Sequence, residues 1–235
     1  MEYKLEHTST AITIADYVVR YRDTDKFIKF CKECDRYNAC WACPPYDFDI
    51  ESCITPYTNA FIIGTKITPN ENLQNRCDSN EKPYGEQTNK EQSDNGQSSS
   101  EQFNKKQFDN KKSKEIAQQL ITDVRKLLDE ALLLLEQRYP NSRALFAGTC
   151  HLCTIGMCAR IKGEPCIHPD KIRPSLEAFG FDIGKTASEL LGVELKWSTY
   201  GELPEYFVLV SGFFTNHSEI EIPLENHICD SGGIN

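Results

Sequence analysis

The sequence predicts an α/β (α+β) fold, a small mixed sheet packed with helices and carrying two cysteine-rich metal loops, on three observations. Residues 59–67 and 205–213 are short β-branched and aromatic runs bounded by turn residues, the mark of buried strands. Ile116, Leu120, Ile121, Val124, Leu127, Leu128, Ala131, Leu132 and Leu135 recur at helical spacing, and Pro140 closes the pattern just after Tyr139. Eight of the 11 cysteines fall into two tight runs on either side of a long polar stretch.

Taken in chain order, the N-terminal MEYKLEHTST mixes charges and lacks the apolar core of an export signal. No apolar run approaches bilayer length, so neither secretion nor membrane insertion is expected and a cytoplasmic location is the default. Asp23 or Thr24 caps a short helix through Phe27, Ile28 and Cys31. Residues 69–113 are mostly Asn, Gln, Ser, Lys and Glu with only scattered hydrophobes, Phe103 and Phe108 among them, and such a segment buries too little to offset its chain entropy. It reads as a disordered insertion within a single metal-binding domain over residues 1–235. Residues 174–179 and 185–191 each read as a helix ending before a glycine, and residues 193–199 alternate as a third strand. The tail at 227–235 reads as frayed.

A formal charge of −9, from 26 Lys and Arg against 35 Asp and Glu, opposes close approach to phosphate backbones and disfavours nucleic acid as a partner. Lys171, Arg173 and Lys185 form the one basic knot, compatible with a small anion or with a solvated face. Residues 180–186 imitate a phosphate-binding loop but are one residue short between the glycines and follow a helix pattern instead of a strand. Neither a catalytic triad nor a paired-acid spacing is readable.

The cysteines carry the chemistry. In a reducing compartment disulfides rarely persist, and an odd count fits a disulfide framework poorly. Thiolates are soft ligands for zinc and iron–sulfur clusters, and a C-x2-C turn aims two sulfurs at one centre. The second run, Cys150, Cys153, Cys158 and Cys166, has glycines that let backbone amides approach sulfur, and Arg160 and Lys162 that would offset the charge of a [4Fe–4S] cluster. Its irregular spacing favours iron–sulfur over zinc, for which His151 and His168 are substitute ligands. The first run, Cys31, Cys34, Cys40 and Cys43 followed by Pro44 and Pro45, can hold one metal with four thiols or a cluster with three and an open iron. Tyr37, Trp41 and Tyr46 interleave with it, either as a dry wall or as plain packing. Cys53 is a reserve ligand, whereas Cys77 in the insertion and Cys229 in the tail stand apart. The two runs can form separate sites or lie side by side across a shared sheet.

Residues Cys31, Cys34, Tyr37, Trp41, Cys43, Pro44 and Pro45, followed by Gly148, Cys150, Cys153, Cys158, Pro165, Cys166, Pro169, Lys171, Arg173, Pro174, Ser175, Glu177, Ala178, Gly180 and Asp182, make a two-part motif. On these motifs the chain resembles the predicted metal-binding, cysteine-rich proteins grouped as domain of unknown function 2284. The resemblance implies a metal or iron–sulfur protein of anaerobic-type metabolism, with no reaction attached. It also implies that the first motif takes Cys31, Cys34 and Cys43, leaving Cys40 outside the pattern and the fourth ligand of that site open. Three functions follow as expectations: electron transfer through iron–sulfur clusters to a redox partner protein, an enzyme using an open iron at the first run, or a zinc-stabilised binding module.

Overall fold

A computed structural model of the chain describes residues 3–70, 99–154, 156–196, 204–225 and 227–229. Five strands form one sheet in the order β3-β4-β2-β1-β5: β1 Tyr3–Thr13, β2 Asn59–Pro69, β3 Arg143–Leu145, β4 Phe207–Thr215 and β5 His227–Cys229. Every strand pair is antiparallel, and one isolated bridge, Phe146 with Ser175, is parallel. β2 is central, registered with β1 from Tyr3 opposite Pro69 to Thr13 opposite Asn59, and with β4 from Asn59 opposite Thr215 to Ile67 opposite Phe207.

The near-continuous apolar run of β2 follows from burial on both faces. Phe61, Ile63 and Ile67 face helix α3, Ser99–Arg138, and meet Val124, Leu128, Leu132 and Leu135. Ala60 and Ile62 face the opposite layer, where α1, Ile14–Tyr21, and α4, Ile183–Leu190, pack with Leu176, Phe179 and Phe181. There Tyr17 stacks on Phe181 with centroids 4.4 Å apart, and Phe214 of β4 meets both rings edge-on. Close approach explains Gly64: a Cβ at that position would lie 2.8 Å from Leu191 Cδ1.

Helix α2, Thr24–Lys32, begins as expected at Asp23, whose side chain accepts from Lys26 N. Thr13 and Asp182 cap α1 and α4 in the same way. Asp23 N donates to Gly180 O at 2.9 Å and Asp182 N to Tyr21 O at 2.7 Å. These bonds fasten α2, which carries Cys31, to the segment that follows the second cysteine run.

Several expectations are corrected. Residues 193–196 form no strand, and 197–199 lie outside the described residues. Gly192, at φ +66°, turns the chain, and Val193 and Leu195 are half-buried against the α1 and α4 layer and belong to no strand, so packing accounts for their alternation. The helix expected over 174–179 is a single 3-10 turn, Glu177–Phe179, stopped by Gly180 at φ +89°. β1, α1 and β3 were not foreseen; β1 buries only Tyr3 and Leu5, too few side chains to show a period of two. α3 starts at Ser99, inside the polar segment, while residues 71–98 of that segment, Cys77 among them, lie outside the described residues. β5 occupies the start of the expected frayed tail, and residues 230–235 lie outside the described set. Among the described residues no helix is long and apolar enough to cross a membrane.

Candidate metal centre

Each C-x2-C of the first run is one tight turn. Cys34 N donates to Cys31 O at 3.1 Å and Cys43 N to Cys40 O at 3.0 Å, a geometry that turns both sulfurs of each pair to one side. Arg36 N donates to Cys34 Sγ at 3.5 Å, and in the second run His168 N donates to Cys166 Sγ at 3.4 Å. Amides aimed at sulfur favour the thiolate and tune whatever metal it holds.

The fold brings the two runs together. Cys43 Sγ lies 3.2 Å from Thr149 Oγ1, the neighbour of Cys150, and the thiols of Cys40, Cys43 and Cys150 shift one another's ionisation. Within that trio the interaction with Cys150, and then with Cys43, pushes the Cys40 thiol well below its ordinary range. Cys43 and Cys150 are pushed up, first by the interaction with Cys40 and then by burial. Burial also raises Cys31, with Cys34 and Glu177 adding to it, and Cys153, with the charges of Cys158, Cys166 and Cys40 adding to it. All nine cysteines with described side chains are free thiols, Cys40 buried and Cys34 exposed. Among these residues no three ligand side chains close on a single point.

Arg160 joins the runs. Expected as a charge neutraliser, it acts as a clamp: Nη1 donates to Cys40 O at 2.9 Å and Cys43 O at 2.6 Å, and Nη2 donates to Asn38 Oδ1 at 3.3 Å and to Pro45 O. Its guanidinium lies 5.0 Å over the Trp41 ring, while Trp41 Nε1 donates to Glu164 O at 3.0 Å. Pro44 and Pro45 are joined by a cis peptide bond. Tyr46 turns to the core, bonding Ala42 O at 2.7 Å and meeting Phe179 edge-on. Cys53, the reserve ligand, packs against the same core layer.

Two functional candidates, Arg125 and Asp129, escaped the sequence reading. Arg125, buried in α3, donates through Nη2 to Thr149 O and faces Cys150; burial lowers its pKa, and Asp129 and Cys150 oppose the shift. Gly148 beside it adopts φ +66°, a left-handed backbone that favours glycine. Asp129, one turn on, accepts from His151 Nε2 at 2.8 Å. A charged pair at i and i+4 inside the stripe Leu120, Val124, Leu128, Leu132 was the available signal. Glu177, part of the second motif, stands here too: burial holds its carboxyl above the usual range, and among the described residues Oε2 has no hydrogen-bond partner. His151 is thus engaged by Asp129.

Two cavities meet at the first run. The smaller, of about 200 Å³, is walled by Cys31, Cys34 and Cys43 together with Thr149, Ser175 and Glu177, and Cys40 is absent from its lining. The larger, of about 820 Å³, shares Cys31, Cys34 and Glu177 with it and is otherwise mainly apolar. The small cavity gathers three thiols at its wall, although among the described residues no three ligand side chains converge on one point.

The basic knot is dispersed. Arg173 is held by Glu136 through bonds of 2.5–3.1 Å, and Lys185 Nζ donates to Arg20 O at 2.9 Å. The phosphate-loop imitation is the start of α4, where Asp182 already accepts from Lys185 N.

Compared with known proteins, residues 12–210 match the model of a family described as "Predicted metal-binding protein (DUF2284)". No curated protein and no solved structure matches the chain.

Proposed function

The chain belongs to the DUF2284 family of predicted metal-binding proteins, and from that premise we propose that it is an iron–sulfur redox protein passing electrons to a partner protein in a reducing compartment. The observation that carries this reading is the meeting of the two cysteine runs, in which Cys43 Sγ lies 3.2 Å from Thr149 Oγ1, beside Cys150, and Arg160 of the second run donates to Cys40 O and Cys43 O. Cys150, Cys153, Cys158 and Cys166 would hold a [4Fe–4S] cluster, and Cys31, Cys34 and Cys43, with Cys40 between the two groups, a second. Bound there, a cluster supplies one-electron chemistry at a potential set by its surroundings. The protein's own part is electrostatic: Arg125 puts a buried positive charge beside Cys150, and the amides of Arg36 and His168 donate to ligand sulfurs. Centres this close would let an electron enter at one and leave at the other.

A second reading, an enzyme with an open iron at the first run, is favoured by the small cavity, whose lining includes Cys31, Cys34 and Cys43 but not Cys40.

Iron, zinc and acid-labile sulfide per chain, measured on anaerobically purified protein, test both. About four irons and four sulfides indicate one cluster and about eight of each indicate two; zinc alone would replace the redox reading with a structural, zinc-stabilised module. Cys153→Ser should remove the absorbance of the second-run cluster. If Cys40→Ser abolishes the first-run cluster as fully as Cys43→Ser does, the open-iron reading fails.

A further inference from the structure

The larger cavity has the size, walls and charge of a small-molecule site. At about 820 Å³ it falls within the range that encloses a drug-sized molecule. Phe27, Phe30, Ile183 and Leu195 form its apolar walls. Phe30 is 57% exposed, an open aromatic surface set against the Phe27 ring 5.9 Å away. The polar part of the lining is one-sided: Glu177 and Glu194 contribute carboxyls, Ser188 a hydroxyl, and among the described residues no Lys, Arg or His lines it.

Glu177 adds an independent pointer. Among the described residues its buried Oε2 has no hydrogen-bond partner, an arrangement that is costly unless something satisfies it. Arg125 stands within charge range but makes no ion pair with it among the described residues. The terminal torsion of a glutamate is soft, so a small turn of the carboxyl presents that oxygen to a donor in the cavity.

We propose that this cavity binds a small apolar molecule with a cationic head, an arylalkyl or alkyl ammonium, whose apolar body lies among Phe27, Phe30, Ile183 and Leu195 and whose head meets Glu177. The bound molecule would lie against Cys31 and Cys34, which share the wall with Glu177, and so beside the first-run thiols. The site stands on the cavity itself and not on which metal the thiols hold.

The test is calorimetric titration of phenylpropylammonium, phenylpropanol and phenylpropionate into the full chain, with metal content measured on the same sample so that the two readings fail separately. The ammonium is expected to bind saturably and at least about tenfold more tightly than the carboxylate, with the alcohol between them. Glu177→Gln should abolish the preference of ammonium over alcohol and leave alcohol affinity unchanged. Phe30→Ser, at an exposed position that leaves the core intact, should weaken ammonium and alcohol alike by about tenfold. Absence of saturable binding, equal affinity for all three probes, or affinities unmoved by Phe30→Ser would each overturn the assignment.

Discussion

Replacing Arg160 by Met should loosen the joint between the two cysteine runs. Hydrogen bonds to a charged group contribute about 1.5–3 kcal/mol each. The two at Cys40 O and Cys43 O are half-buried and belong at the lower end, while those at Asn38 and Pro45 are exposed and add little. Stacking on Trp41 adds about 0.5–1 kcal/mol, and ordering the side chain costs about 2 kcal/mol. The net expectation is a loss of about 2 kcal/mol in urea unfolding of the metal-free protein. Because the freed carbonyls belong to Cys40 and Cys43, the variant should also retain less metal per chain after anaerobic purification. Arg160→Lys keeps the charge but not the planar fork, and should recover less than half of the lost stability. A change under about 0.5 kcal/mol with metal content intact would refute the clamp, since that is the scatter of ordinary surface substitutions.

Gly180→Ala should cost about 3 kcal/mol in the same assay, because φ +89° is left-handed and the new Cβ would meet Thr24 Cα at 3.0 Å. Gly163→Ala, at φ +70° but facing open space, is its control and should cost only about 1 kcal/mol. Glu136→Gln should cost about 1–3 kcal/mol and speed hydrogen exchange at Ala144, since that carboxylate holds Arg173 and accepts from Ala144 N at 2.7 Å. Burial raises Asp129 above 3.8, so folding takes up a proton there: its contribution is full below that value and is lost as pH rises through the elevated pKa. Asp129→Asn should therefore flatten the decline of stability with pH above 3.8, and an unchanged slope would contradict the shift.

The sequence by itself determined the elements whose signal is local. Central strands β2 and β4 announce themselves because burial on both faces requires unbroken apolar runs, α3 because its stripe must match 3.6 residues per turn, and α2 because Asp23 can cap its own helix. The metal-binding character was legible for the same reason, since cysteine spacing within a turn is a local property. Where residues 193–196 alternate, the pattern reports burial and not pairing, and only packing against the α1 and α4 layer distinguishes the two. Tertiary structure alone decided the joint: that Cys43 meets Thr149 beside Cys150, that Arg160 reaches four acceptors in the other run, and that Arg125 and Glu177 stand behind the thiols. Those contacts span more than a hundred residues in the case of Arg160 and Cys40, |i−j| = 120. No local pattern encodes them, because they exist only once the fold has brought the two loops together.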